Sequence, residues 1–254
     1  MKKILIIGIG AGDPDYLTVQ AINALNQVDV FFVMDKGVAK EKLIALRKHI
    51  IERFVTDDGY RIVEATSPER RRDDVEYKAA VDELNRDKQA IFERMIADEL
   101  NDAEVGAFLV WGDPSLYDST IRILEAISHG GQHDFDYEVI PGISSVQALA
   151  ARHRVPLNLI GRSVEITNGR GIAGGFPENI DSVVVMLDTH DTYRLLADED
   201  LDIYWGAYVG TPDELLISGR LPDVMDEIAR VRADARRTHG WIMDTYLLRR
   251  RNGV

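Results

Sequence analysis

The sequence predicts an α/β protein of two domains: an N-terminal half built on a mostly parallel sheet with helices, and a C-terminal half with a mixed, more antiparallel sheet and helices. Three observations carry this. The apolar run from Ile4 breaks into closely spaced glycines, then a helix pattern, then a second apolar run at Val28 to Val33, which is a βαβ opening and so a parallel pair. Three strand-type runs end on glycine-bearing loops, at Gly8 to Gly12, Trp111 to Ser115 and Pro141 to Ser145. Beyond Val155-Pro156 the pattern turns to short strands with fewer long helices, so the domains are expected at 1–155 and 156–254.

The elements follow in order. Leu17, Ala21, Leu25 and Val28 lie at steps of four, four and three, one apolar stripe on a helix. After the strand Val28 to Val33 comes a helix at Lys40 to Phe54. The charged stretch Asp57 to Asp74, with Ser67-Pro68, reads as a loop that could fold over a site or simply be a solvated connector. A long helix is expected at Val75 to Leu100, with Val81, Leu84, Phe92 and Ile96 inward, then a buried strand at Val105 to Val110. A helix at Ser119 to Ser128 stops at Gly130-Gly131, a strand spans Tyr137 to Ile140, and Ser144 or Ser145 caps a helix running to His153. The second half offers strands at Val164 to Thr167, Val183 to Leu187, Tyr204 to Val209, Leu215 to Ser218 and Ile242 to Leu248, with a hairpin around Thr211-Pro212-Asp213.

The first glycine loop is the sharpest functional signal. Gly8, Gly10 and Gly12 let the backbone turn tightly and lie open to a ligand, and Pro14 suits the first turn of a helix. A dinucleotide fingerprint needs a glycine where Asp13 stands, and a carboxylate there repels a pyrophosphate, so a neutral or cationic nucleoside fits better. A nicotinamide-dependent oxidoreductase is the alternative from another class; Asp35 is the one acid near the end of the second strand, and it sits late for a ribose contact.

Composition bounds the rest. A net charge of -13 argues against a nucleic-acid groove over most of the surface. With no cysteine there is no disulfide framework and no thiolate site, which suits a reducing cytoplasm. Gly, Asp and Pro interrupt the opening apolar run well short of a signal or membrane span, so a soluble chain away from membranes is expected. The six histidines show no ligand spacing, and His129 and His133 are separated by Gly130-Gly131, so no metal is expected.

Together, GIGAGDPDYLT (8–18), GDP (112–114), PGISS (141–145) and VVVM (183–186), in this order, resemble the tetrapyrrole methylase family, the two-domain methyltransferases of sirohaem and cobalamin synthesis. The resemblance implies S-adenosyl-L-methionine as methyl donor, bound in a cleft between two domains, a tetrapyrrole as small-molecule substrate, and a homodimer. It places Gly10, Ala11, Gly112, Asp113 and Leu116 along the cofactor, Ser144 and Ser145 at its amino-acid or ribose part, and Met186, Leu187 and Val209 beside the adenine. It makes Asp35 a proton acceptor at the end of the second strand, where the bland reading is a turn former. The chain departs from the family pattern at Ala11, often proline, at Trp111, often a second glycine, and at Glu214, often glutamine.

A tetrapyrrole substrate is a polycarboxylate, so local arginines must overcome the acidic field, and fork-shaped guanidinium pairs suit that task. Arg162 and Arg170, flanking the strand Val164 to Thr167, are the expected substrate contacts, with Arg70 to Arg72 on the possible lid. Arg249 to Arg251 reads as a solvated tail.

Overall fold

Side chains alternate across a strand, and in β1 (Lys2–Gly8) both sets are apolar, so both faces of the sheet must be covered. The computed structural model describes residues 1–35, 41–68 and 77–251, with backbone alone for Asp35, Glu41, Lys42 and 77–81. It divides into two compact units, Met1–Ile143 and Ser144–Val254.

In the first unit β1 is joined by β2 (Val30–Asp35), β3 (Arg61–Thr66), β4 (Val105–Val110) and β5 (Phe135–Ile140) in a wholly parallel sheet of order β3-β2-β4-β1-β5. Leu5 and Ile7 meet α1 (Val19–Leu25) and α2 (Glu41–Phe54) on one face through Ala21, Leu25, Ile50 and Ile51. Ile4 and Ile6 face α3 (Tyr77–Glu99) and α4 (Thr120–His129), whose Phe92, Ile96, Ile123 and Ile127 complete the other core. Thr18 caps α1, its hydroxyl accepting from the Ala21 N–H at 3.0 Å.

One expectation fails here. Asp57 to Asp74 is not all loop, because Arg61–Thr66 forms β3 and pairs with the whole of β2. Its charges are tolerated because it is the outer strand: Arg61 forks onto Glu104 at 2.9 and 2.8 Å, and Glu64 pairs with Lys48 at 2.7 Å. Residues 69–74 of that segment, including Arg70 to Arg72, lie outside the described residues.

The second unit opens with α5 (Ser145–His153), whose Leu149 Cδ1 sits 2.7 Å from where a Cβ on Gly206 would stand. That close packing on the sheet is why the unit begins ahead of the change in pattern at Val155-Pro156. The sheet runs β6-β7-β10-β8-β9, comprising β6 (Val164–Asn168), β7 (Ser182–Met186), β8 (Leu201–Ala207), β9 (Leu215–Arg220) and β10 (Asp244–Arg250). Only β6 and β7 run parallel; the other pairs are antiparallel, and β8 and β9 form the expected hairpin. A helix α6 (Leu221–His239), which no sequence pattern had suggested, covers the sheet with Leu221, Ile228, Arg232 and Ala235 buried. It stops at Gly240, whose φ of 73° is the left-handed conformation favoured after a helix.

Arg249 to Arg251 is no solvated tail. Arg249 and Arg250 close β10, Arg250 stacks over Phe176 with its guanidinium carbon 4.6 Å from the ring centre, and Arg251 meets Asp202 at 3.4 Å. Among the described residues no helix is long and apolar enough to cross a membrane.

Candidate active site

In the first unit the three glycine loops leave the carboxyl ends of β1, β4 and β5, the edge where parallel sheets bind ligands. They are bonded to one another. Gly10 and Gly112 form an antiparallel bridge, the Gly112 N–H donating to Gly10 O at 2.8 Å and the Gly10 N–H to Gly112 O at 3.3 Å. A Cβ on Gly142 would stand 2.1 Å from Gly112 O and 2.9 Å from the Gly8 backbone, and one on Gly8 would meet Gly142 N at 2.6 Å. The glycines at 8 and 142 are therefore required by loop-on-loop packing, since any side chain would push the loops apart. Gly10 (φ 79°) and Gly112 (φ 70°) also hold left-handed backbone. Ala11, the neighbour of Gly10, is buried.

The polar side chains here do structural work first. Asp113 Oδ2 accepts from the Gly142 N–H at 2.9 Å, while Oδ1 accepts from the Ser115 N–H at 2.8 Å and from the Ser115 hydroxyl. Burial opposes its charge, but these donors outweigh burial and hold its pKa below the usual carboxylate range. Leu116 follows in the same turn, its N–H bonded to Asp113 O at 3.2 Å, with its side chain partly exposed. Asp13 caps the short 3-10 turn Pro14–Tyr16 by accepting from the Asp15 N–H at 2.9 Å. Its carboxylate stands where the dinucleotide fingerprint wants glycine, which removes the basis for the nicotinamide alternative.

Ser144 caps α5, accepting from the Val146 N–H at 3.1 Å and bonded to the Gln147 side chain, and is nearly fully buried. Ser145, the next residue, is partly exposed. The backbone of Asp35 closes β2 opposite Thr66, and its side chain lies outside the description.

In the second unit Met186 ends β7, half-buried, and Leu187 follows with φ 55° and 64% of its surface exposed. A leucine in left-handed backbone, offered to solvent, is strained and persists only where its surroundings enforce it. The enforcement begins one residue on. Asp188, 5% exposed, accepts from the His190 N–H (3.0 Å), the Thr192 N–H (2.7 Å), the Thr192 hydroxyl (2.8 Å) and the Tyr246 hydroxyl (2.8 Å). Arg232 from α6 donates to Asp188 O at 2.6 Å and to Asp244 Oδ2 at 2.8 Å, and pairs with Asp191 at 3.1 Å. Burial disfavours the Asp188 charge, yet the four donors keep its pKa below the ordinary range. Asp244, more deeply buried, is shifted upward by desolvation despite Arg232 and the Trp205 N–H at 3.0 Å.

Val209 is buried, with a Cγ 2.8 Å from where a Cβ on Gly206 would stand. Glu214 explains its own departure from the family pattern: it accepts from the Gly210 N–H at 2.9 Å and pairs with Arg152 at 2.6 Å, fixing the turn that follows Val209. Arg162 meets Asp181 at 3.6 Å, and Arg170 sits on the turn that the Asn168 side chain closes, its N–H donating to Asn168 Oδ1 at 3.1 Å.

Sequence reasoning missed a cavity of about 110 Å³ in the first unit, lined by Phe32, Met34, Arg47, Lys88, Trp111 and Asp118 among others. Arg47 and Lys88 lie on exposed-looking helix stretches in the sequence, and only the fold brings them to the ends of β2 and β4.

A parallel sheet whose strand ends converge in knotted glycine loops, followed by a mixed-sheet unit with a strained turn after its β7, defines a class of ligand-binding α/β enzyme. The family model for tetrapyrrole (corrin/porphyrin) methylases matches residues 3–225, and the chain belongs to that family. It is 52% identical over 250 residues to precorrin-6A synthase [deacetylating] of Sinorhizobium sp, covering 98% of this chain and 96% of that protein. Among solved structures, a cobalamin synthesis related protein (CobF) from Corynebacterium diphtheriae superposes with a TM-score of 0.83 at 36% identity, covering 98% of both chains. Uroporphyrin-III C-methyltransferase from Thermus thermophilus, solved with S-adenosyl homocysteine, shares the fold with a TM-score of 0.58 at 17% identity, over 97% of this chain and 96% of that one.

Proposed function

We propose that this protein is an S-adenosylmethionine-dependent C-methyltransferase of corrin synthesis. In this reading it converts precorrin-5 to precorrin-6A, methylating carbon 1 and releasing the extruded two-carbon unit as acetate, with water supplying the acetate hydroxyl. The observation that carries the reading is the 52% identity, over 98% of the chain, to precorrin-6A synthase [deacetylating].

The residues present fit such a donor. Exposed Leu187, half-buried Met186 and partly exposed Leu116 offer apolar surface to a nucleoside, and Ser145 is partly exposed. Asp113 and Ser144 keep acceptor capacity beyond the bonds that fix them. Bound S-adenosylmethionine supplies a methyl group on a positively charged sulfur. The chain's contribution is position, and the residues assigned to the donor in this reading are Gly10, Ala11, Gly112, Asp113, Leu116, Ser144, Ser145, Met186, Leu187 and Val209. Orientation of this kind supplies on the order of 7 to 11 kcal/mol in favourable cases. Asp35 accepts the proton lost from the macrocycle, and Arg162 and Arg170 hold its carboxylates. The same reading takes the protein as a cytoplasmic homodimer with no nucleic-acid or membrane partner.

Incubation with labelled methyl donor and precorrin-5, followed by mass analysis of the pigment, tests it. The expected product has gained one methyl group and lost an acetyl group. A methyl gain without acetyl loss would assign the chain to a sister reaction on a neighbouring precorrin.

A further inference from the structure

We propose that the cavity at the carboxyl ends of β2 and β4 is a carboxylate subsite that seats one acidic side arm of the tetrapyrrole; this rests on the function proposed above. The place is set by topology. β2 leads to α2 on one face of the sheet, and its neighbour β4 leads to α4 on the other, so their ends diverge and leave a crevice. The cavity of about 110 Å³ occupies that crevice, with Phe32, Met34, Phe92 and Phe108 as apolar wall and Arg47, Lys88 and Trp111 as donors.

Two of these donors are left wanting by the protein itself. Arg47 donates to Leu109 O and to Leu43 O, both at 3.0 Å, and has no ion pair among the described residues. A partly buried guanidinium without a paired carboxylate is costly, and desolvation lowers its pKa. The Trp111 indole N–H is buried without an acceptor among the described residues. An orphaned donor beside an under-neutralised cation matches a carboxylate, which accepts through both oxygens, while the aromatic wall suits the methylenes of the arm. The counter-charge within the cavity is Asp118, which accepts from the Thr120 N–H at 2.7 Å and favours the Arg47 charge from a distance. Lys88, bonded to Ser119 Oγ at 3.5 Å, adds positive field. Trp111 stands where relatives often carry glycine, so this chain places a donor there that a glycine lacks.

The test compares Trp111→Phe, Lys88→Gln and Arg47→Gln with the unaltered enzyme, reading KM for precorrin-5, the affinity for S-adenosylhomocysteine by calorimetry, and the melting temperature without ligand. Loss of a hydrogen bond to a charged group corresponds to roughly 10- to 100-fold. Arg47→Gln should raise KM by that factor, and Trp111→Phe by about tenfold or somewhat less. Affinity for S-adenosylhomocysteine should not change, and Trp111→Phe should melt no lower than wild type because it removes an unsatisfied donor. Should Arg47→Gln fail to fold, Trp111→Phe and Lys88→Gln decide. Weaker S-adenosylhomocysteine binding with an unchanged KM would hand the subsite to the donor's own carboxylate and overturn the assignment. Unchanged KM in the folded variants of an enzyme that does methylate precorrin-5 would sink the subsite alone. An unaltered enzyme that binds S-adenosylhomocysteine yet does not convert precorrin-5 would sink the functional reading, and the subsite with it.

Discussion

The two units hold their candidate site segments by opposite means. In the first, backbone grips backbone: Gly8, Gly10, Gly112 and Gly142 let three loops approach until their peptide groups touch or bond, and Asp113 ties the Gly142 N–H to the turn at Ser115. In the second, buried charge grips backbone: Asp188, Arg232, Asp191 and Asp244 pull the chain after β7 into place and leave Leu187 in left-handed geometry. The glycine solution leans on a single partly buried carboxylate, Asp113, but tolerates no added atom. The charged solution tolerates changes of shape but not the loss of a partner.

Removing one partner of the charge network should have the largest effect. Arg232→Met leaves Asp191 and Asp244 without their shared cation and the Asp188 carbonyl without its donor, and urea or thermal unfolding should show about 3–5 kcal/mol lost. Gly142→Ala tests the opposite principle, since its Cβ would stand 2.1 Å from Gly112 O; overpacking of this kind costs roughly 1–3 kcal/mol, and the backbone contact places it at the upper end. If Gly142→Ala melts like wild type, the loops are looser than their geometry states and the contrast between units dissolves.

A finer comparison lies within the charge network. Tyr246 donates to Asp188 at 2.8 Å, so Tyr246→Phe should lose roughly 1.5–3 kcal/mol as a bond to a charged group. Tyr193, buried beside it with ring centres 5.4 Å apart, has a hydroxyl with no partner among the described residues, so Tyr193→Phe should be neutral or stabilising in the same assay. Equal losses in the two variants would mean that the Tyr246 hydroxyl gains nothing particular from its bond to Asp188.

Acid sharpens the picture further. Asp113, Asp188 and Glu104 all have pKa values lowered on folding, Glu104 from 4.5 to about 2. Each therefore stabilises the fold fully above its unfolded value, and the contribution disappears as pH falls through the folded value. Stability followed by denaturant titration should decline from about pH 4 downward. Glu104→Gln should flatten that decline in the interval from 4.5 to about 2, where its shift lies.

Much of this fold was legible because its central strands are continuous apolar runs between glycines. Val105–Val110 was readable to the residue, since a strand buried on both faces needs no alternation and is bounded by a turn at each end. β3 was hidden because Arg61 and Glu64 stand on an edge strand, where water replaces a neighbour. α6 was hidden for a different reason: its buried stripe includes Arg232, and a charged core position cannot be told from a solvated one by hydropathy. At the site, glycine spacing showed where the loops turn, but not that the space beside Gly8 is filled by Gly142 from a loop more than a hundred residues away. The cavity donors Arg47 and Lys88 gave no signal at all, because their proximity is made by crossovers rather than by spacing.

The charged outer margin of the first sheet has a bearing on the chain's life before it reaches its substrate. Arg61 is clamped on Glu104 and Glu64 on Lys48, so a foreign segment trying to extend the sheet at β3 would have to break both clamps and strip four ionic groups of water. A nascent or crowded population of this protein is thereby guarded against fusing edge to edge, and neutralising the rim with Arg61→Val and Glu64→Val should reveal itself as turbidity on heating.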